Sequence, residues 1–406
     1  MAVKDVYPIN RDPSPVLGSQ HAQALIHLDR LRGNLAAVRG ALRPGTRVFA
    51  VVKADAYGFG LPVIAPELSR AGIDGFVVSS ADEGLALRRL GLTEEVMVLG
   101  PFLEADVAVM IAGNLSPTLS SMDQLQWVER EALRQGVRAR VHIRVDLGLG
   151  GQGLDPGYVL PLLSKLCAQP CLEWASIFVQ QVGAYRADLA LMNHESSDFH
   201  ALLQRIKDAG FELPLVHSLS SPGVSMAQQS ATDGAVRIGS LLYGLRMVDA
   251  APAGIRPVME IRAKVLDVRM LEAGTAFSYE AGFNSAQRLK VANISIGFGM
   301  AGFLSMSSNP CVLVRGVRLP VLGRAFMNNL LADASELPYL ERGDDAVVLG
   351  AQGELEITAE DIALACQIRP TVVPLLSQGL ARHYVGAWDA DHVHRGFPVA
   401  CPTLRT

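Results

Sequence analysis

The sequence predicts an α/β protein: a (β/α)₈ TIM-type barrel followed by a second, mostly β domain. Three observations carry this. Eight short apolar runs alternate with helix-patterned stretches up to about residue 245, the strand count of a (β/α)₈ barrel. No GxGxxG follows the first of these runs, which disfavours a doubly wound open sheet, the alternative reading. After residue 250 the texture changes to strand-rich segments separated by Gly, Asn and Asp turns.

In chain order the runs are VFAVVK (48–53), GFVVSS (75–80), VMVLG (96–100), LSPTL (115–119), ARVHIRVD (139–146), EWASIFV (173–179), PLVHSLS (214–220) and AVRIGSLLYG (235–244). Each is short, apolar and often β-branched, as suits a strand buried on both faces. Between them, SADEGLALRRLG has apolar residues at helical spacing behind an acidic start, and SMDQLQWVEREALRQG has a Ser start signal and a Gly stop. PVMEIRAKVLDVRML, RLKVANISIGFG, PCVLVRGVRLPVLGR and DDAVVLGAQGELEIT form the second texture. The expected organisation is a barrel over 20–250 and a β-rich domain over 251–385, which residues 1–19 can join. A tail rich in His, Pro and Asp covers 386–406.

Half of the 406 residues are hydrophobic and the formal net charge is −4. That balance gives no electrostatic footprint for nucleic acid or an anionic membrane. No apolar run reaches the roughly 20 residues of a membrane helix. The opening MAVKDVYPINRDPSP has no basic region leading into an apolar segment, so no secretory leader is expected. The five cysteines, Cys167, Cys171, Cys311, Cys366 and Cys401, are odd in number and scattered. They do not have zinc-ligand spacing, no metal site is expected, and a reducing cytoplasm fits them best.

Lys53 ends the first apolar run, where a buried strand avoids a charge unless it presents that charge to something. In a barrel, chemistry sits where strands end. A lysine there can be a structural charge, a phosphate binder or a Schiff-base former. Other strand ends supply company. Alternate strand residues point the same way, so Arg144 shares a face with Asp146, and Arg237 with Gly239. Each pair can equally be an internal ion pair or a plain strand terminus. Three cationic groups, Lys53, Arg144 and Arg237, with few carboxylates suit an anionic ligand. Ser220–Ser221–Pro222–Gly223 and Gly239–Ser240 are small-residue turns able to offer backbone N–H groups to a phosphate.

AVVKADAYGFG resembles the signature of the alanine racemase family, which usually reads AVVKANAYGHG. SPTLSSMDQL, VHIRVDLGLGG, VRIGSLLYGL, FSY, ISIGFG and LPVLGRAFMNNLLAD fall in family order at family spacing, so the resemblance covers most of the chain. It implies a pyridoxal-phosphate (PLP) enzyme with a barrel and a β domain, assembled as a homodimer with composite sites that act on an amino acid. Carried over, Lys53 would hold PLP covalently and Tyr57 would bind its phosphate through the hydroxyl. Ser221 with the Gly239–Ser240 backbone would complete the phosphate cup. Arg237 would face the pyridine nitrogen, supported by His217. Tyr279 would be a catalytic residue reaching across the dimer interface, and Met327 a substrate contact from the partner subunit.

Racemisation removes the α-proton from one face and returns it on the other, so two bases on opposite faces suffice, and Lys53 and Tyr279 are the candidates. Free tyrosine has a pKa of ~10, so Tyr279 needs cationic neighbours, for which Arg237 and His217 are candidates.

The substrate half departs from the family pattern. Arg144 stands where the family usually has a lysine, and Gly151 where it has a carboxylate-binding arginine. Gln180 takes the place of a histidine that links the catalytic tyrosine to the pyridine-side arginine, and would sit near the substrate. Asn328 replaces an aspartate, IGFGMAG replaces IGYADG, and a phosphate-contacting tyrosine falls at about Pro370. These changes imply racemase or epimerase chemistry on a substrate larger or more polar than alanine, with Arg144 taking over the carboxylate. The alternatives are another PLP reaction on the same scaffold, decarboxylation or retro-aldol cleavage, or a non-catalytic PLP-binding protein.

Overall fold

The computed structural model describes residues 21–226, 234–277 and 284–386. They divide into two compact units. One holds Leu25–Glu260 and the returning segment Thr358–Leu375; the other is built from Ile261–Ile357 and Leu376–His383. The segments 1–19 and 387–406, on which the expectations of an added N-terminal piece and a C-terminal tail fall, lie outside the described residues, as do Tyr279 and Cys401.

After an N-terminal strand, β1 (Gln23–His27), the barrel strands are β2 (Arg47–Val51), β3 (Gly75–Val78), β4 (Glu95–Val98), β5 (Ser116–Leu119), β6 (Ala139–Arg144), β7 (Leu172–Phe178), β8 (Leu215–His217) and β9 (Ala235–Ile238). Each of the eight apolar runs is a strand. They pair in the order β8-β7-β6-β5-β4-β3-β2-β9, all parallel. Between β8 and β9 the regular ladder gives way to Gly234 N–H on Val216 O (3.0 Å) and Arg237 N–H on Leu219 O (3.1 Å), with a bridge between Ser220 and Arg237. The barrel is thus nearly closed, as the sequence predicts.

The helices follow from their caps and stripes. In Met122–Gln135, Ser121 accepts from the Gln124 N–H, Leu125, Val128 and Ala132 are buried at i, i+3, i+7, and Gly136 ends the helix at φ 66°. Ala81–Arg89 is capped by Ser80, and its Glu83 also works outside the helix, as described below.

Alternation along the strands fills the interior. Phe49, Val51, Val77, Met97, Phe178 and Ala235 form its apolar cluster. Register sets Phe49 beside both Gly75 and Arg237, and Phe178 beside both Arg144 and His217. Gly75 is a glycine because a Cβ there would lie 2.5 Å from the Phe49 ring. This packed interior forces the chemistry to the strand ends.

In the β-rich unit, β10 (Met259–Leu271) pairs antiparallel with β11 (Leu289–Ile294). β12 (Cys311–Val314) pairs with β13 (Val317–Pro320), β14 (Leu330–Asp333) pairs with β11, and β15 (Asp345–Gln352) pairs with β10, β12 and β16 (Leu355–Ile357). The main path of this sheet is β13-β12-β15-β10-β1-β17, the last being Ala381–Val385. Within it the two divergent segments run together: Phe298 N–H donates to Phe326 O (3.0 Å) and Gly299 N–H to Met327 O (2.9 Å). Met327 is 57% exposed. No helix among the described residues is long and apolar enough to cross a membrane.

Candidate active site

A cavity of about 280 Å³ opens at the C-terminal ends of the barrel strands. Lys53, Tyr57, Gln180, Ser220, Ser221, Arg237, Gly239 and Ser240 line it, together with Tyr185, Met247, Arg369 and Thr371. No carboxylate is on its wall among the described residues, and three cationic side chains are.

Lys53 leads directly out of β2 into a left-handed turn. Ala54, Asp55, Ala56 and Tyr57 all have φ between 52° and 58°. Left-handed backbone costs a non-glycine residue about 1–2 kcal/mol, so the turn survives only because it is tied down. The Glu83 carboxylate accepts the Ala54 N–H and, from its other oxygen, the Ser79 N–H, both at 2.7 Å. The Asp55 carboxylate accepts the Leu61 N–H at 2.7 Å. Gly58 and Gly60 then carry the positive φ onward at 84° and 98°. The Tyr57 ring tilts against Tyr243 at 5.0 Å, and Tyr243 stacks on Phe59 at 4.7 Å. The Tyr243 hydroxyl donates to Val51 O.

The turn delivers the Tyr57 hydroxyl onto Gly239. A Cβ at Gly239 would lie 2.5 Å from that oxygen, so only glycine fits. The Ser221 hydroxyl accepts from the N–H groups of Gly239 (3.0 Å) and Leu241 (3.4 Å). Burial, and secondarily the Tyr185 hydroxyl, push the Tyr57 phenol well above its usual range, so it stays a hydrogen-bond donor. A protonated phenol, a serine hydroxyl and a backbone turn around one glycine form a donor set for a phosphate.

On the same wall Arg237 is 2% exposed. One terminal nitrogen donates to His217 Nδ1; the other donates to Val179 O (2.8 Å) and Gln180 Oε1 (3.2 Å). Its guanidinium carbon lies 4.6 Å above the Phe178 ring, and His217 stacks on the same ring at 4.7 Å and 10°. Burial first, then the adjacent Arg237 charge, drives His217 well below the usual imidazole range, so it is neutral.

The family model for the alanine racemase N-terminal domain matches residues 26–247 and that for the alanine racemase C-terminal domain matches residues 258–384. The chain belongs to the alanine racemase family. It is 30% identical over 367 residues to the alanine racemase of Methylacidiphilum infernorum, covering 90% of this chain and 93% of that one. It is 31% identical over 355 residues to the alanine racemase of a Nostoc species, covering 86% and 91%. Among solved structures, alanine racemase from a D-cycloserine-producing Streptomyces lavendulae superposes with TM-score 0.85 at 26% identity, covering 93% of this chain and 99% of that one. The fold is shared also with a Bartonella henselae alanine racemase solved with covalently bound pyridoxal phosphate, at TM-score 0.81 and 24% identity over 90% of this chain and all of that one. This family consists of PLP-dependent isomerases, and the Tyr57–Ser221–Gly239 cradle beside Lys53 fits that cofactor's phosphate.

Of the residues expected at an alanine racemase site, Lys53, Tyr57, Gln180, Ser221, Arg237, Gly239 and Ser240 meet in the cavity. His217 does not line it; fully buried, it acts through Arg237. Because His217 is neutral, only Arg237 of the two cationic neighbours expected for Tyr279 carries a charge. Arg144 is not on the cavity wall either, and the third cation there is Arg369. Arg144 is 8% exposed; Tyr185, which does line the cavity, acts on it electrostatically. Its Nη1 donates to Gln152 Oε1 at 3.1 Å. Asp146 does not orient it by a hydrogen bond: the carboxylate accepts the N–H groups of Gly148, Leu149, Gly150, Gly151 and Gln152. Met327 belongs to the β-rich unit. Tyr185, Met247, Arg369 and Thr371 were not anticipated; for the last two, the one signal was their position on either side of Pro370.

The neutral, buried His217 sets a pH dependence. Below about pH 6.5 the unfolded chain takes up a proton that the folded one refuses, so this stability is complete above that pH and is lost as pH falls. Urea unfolding of the protein between pH 7.5 and 5.5 should show stability dropping by up to about 1.4 kcal/mol per pH unit more than in a His217→Gln variant; parallel slopes would exclude a neutral His217.

Proposed function

We propose that this protein is a PLP-dependent amino-acid racemase or epimerase that uses two bases. These are Lys53 of one subunit and Tyr279 of the partner subunit, and the substrate is an amino acid larger or more polar than alanine. The observation that carries the reading is the placement of Lys53 at the mouth of a cavity whose wall combines a phosphate cradle with a fixed cation, Arg237. When bound, PLP supplies an electron sink that makes the α-hydrogen of a linked amino acid acidic. Lys53 holds the cofactor and moves a proton on its own face. Tyr57, Ser221 and the Gly239–Ser240 backbone bind the phosphate. Arg237, which cannot give up its proton, keeps the pyridine nitrogen unprotonated, weakens the sink and so disfavours side reactions such as transamination. The free cysteines Cys167, Cys171, Cys311 and Cys366 suit a reducing compartment, the cytoplasm.

Borohydride reduction of the PLP-loaded protein should fix the cofactor to the peptide containing Lys53. In deuterated water the enzyme should exchange the α-hydrogen of its amino-acid substrate without releasing CO₂ or an aldehyde. Release of either product would favour the decarboxylase or retro-aldolase reading, and a colourless protein that cannot be reconstituted would end the cofactor reading altogether.

A homodimer with composite sites follows from Tyr279 and Met327 lying in the β-rich part of the sequence, with Met327 exposed. Lys53→Ala and Tyr279→Phe should each be nearly inactive, and should regain activity when unfolded and refolded together, because some mixed dimers rebuild one complete site. Mixed dimers that form and stay inactive would count against it.

Arg144 is proposed as the substrate-carboxylate ligand. The loop offers no substitute, since Gly151 sits at φ 97°, which strains any side chain. The buried Arg144 Nε has no hydrogen-bond partner among the described residues, a donor that a carboxylate would satisfy. Arg144→Lys keeps the charge and loses the fork. Substrate affinity should fall by ~1–3 kcal/mol with PLP affinity unchanged, read by spectral titration; unchanged substrate affinity, or joint loss of PLP, would return Arg144 to a supporting role.

A further inference from the structure

Behind Arg237 a line of buried polar side chains crosses the barrel interior from strand to strand. His217 Nε2 lies 3.0 Å from Ser176 Oγ. Ser176 Oγ lies 2.7 Å from His142 Nδ1. His142 Nε2 faces Glu95 Oε1 at 3.3 Å, an electrostatic contact outside hydrogen-bond geometry. His142, Ser176 and His217 are each no more than 1% exposed. The Glu95 carboxylate is also paired with Arg47 (3.2 Å) and Arg140 (3.5 Å).

The two ends are chemically unlike each other. A guanidinium has only donors and an ionised carboxylate only acceptors. Burial works against ionisation of Glu95, but the Arg140 and Arg47 charges beside it hold its carboxyl below the usual range. Starting from Arg237, His217 Nδ1 must accept, so a neutral His217 carries its proton on Nε2 and donates to Ser176. The serine proton then points to His142 Nδ1, and His142 carries its own proton on Nε2, facing Glu95. A doubly protonated His142 would donate to Ser176 as well, leaving the serine proton without an acceptor, since the hydroxyl has no third partner among the described residues.

We infer that His142, Ser176 and His217 form a one-directional hydrogen-bond chain, set from the Arg237 end with His142 facing the Glu95 carboxylate at the other, that orients Arg237 as a donor toward the cofactor ring; His142 and Ser176 are therefore positioning residues for the active site. Its final clause rests on the reading of Arg237 given above; the direction of the chain does not.

Ring-nitrogen NMR of uniformly ¹⁵N-labelled protein at neutral pH tests it, with signals assigned by their loss in His142→Gln and His217→Gln. Both histidines should read as neutral Nε2–H tautomers, with PLP bound and after its removal. Either one reading as Nδ1–H or as imidazolium overturns the chain, and this arm needs only the parent fold. In the PLP-loaded protein, Ser176→Ala should release the His142 tautomer to a mixture and shift both the His217 ring signals and the cofactor's absorption maximum. Ser176→Thr, which keeps the hydroxyl, should restore all three. A chain intact by tautomer with an unmoved cofactor band would overturn the link from Ser176 to the cofactor while sparing covalent binding at Lys53, which borohydride trapping reads separately.

Discussion

The buried guanidinium of Arg237 constrains more of this barrel than any other group. A permanent charge inside a protein is tolerated only where acceptors surround it, because an unpaired one loses several kcal/mol of hydration. Arg237 meets that demand with a carbonyl from β7's end, the Gln180 amide and the His217 ring. Each acceptor is thereby committed. His217 must be neutral and must present Nδ1, Gln180 must turn its oxygen inward, and Phe178 must lie flat beneath the charge. The interior polar groups that follow from His217 belong to the same requirement.

Lys53 depends on a different constraint, a backbone one. Four consecutive non-glycine residues in left-handed conformation are unfavourable locally, so the turn is held by other groups: Glu83 from the helix after β3, Asp55 from within, and the Tyr57–Tyr243–Phe59 stack. The result is a short, stiff connection between the lysine and the tyrosine. It fixes the Lys53 amine and the Tyr57 hydroxyl on one cavity wall, whereas a right-handed helix beginning at the same strand end would wind Tyr57 the other way. Gly239 completes the arrangement, because the hydroxyl lands where any side chain would stand.

The barrel was legible in the sequence because its signal is repeated: eight apolar runs of strand length alternating with helix-patterned stretches. Much of the cavity wall was legible because it resides in short contiguous motifs, with Lys53 and Tyr57 four residues apart and Gly239 next to Ser240. What escaped needs information between strands. Alternation says that His142 and Arg144 face the same way, but not that His142 meets Ser176, which requires the β6–β7 register and its irregularity between Val141 and His142. The left-handed turn escaped because nothing in Ala-Asp-Ala-Tyr prefers that conformation; its cause, Glu83, is twenty-nine residues away. Arg369 and Thr371 escaped because they come from a segment beyond the β-rich sequence that returns to the barrel unit.

The loop after Arg144 is held in a different way from the Arg237 wall. The Asp146 carboxylate gathers the N–H groups of five successive residues, so the Gly148–Gln152 loop is organised by backbone alone. Such a loop places no demand on the side chains it carries, and it accommodates glycine at φ 130°, 70° and 97° at positions 148, 150 and 151. The loop therefore needs no side chain at 151. Arg144 is under the opposite pressure: it ends a strand, is buried, and among the described residues finds only Gln152 for one of its nitrogens. Burial alone pushes its pKa down, with Asp146 and then Tyr185 opposing, and a guanidinium resists deprotonation so strongly that it keeps its charge and its need for an acceptor. A permanent cation short of acceptors beside a loop freed of side-chain duties is an arrangement that an anionic substrate group can complete, whereas the Arg237 wall, with its acceptors already committed, has no such latitude.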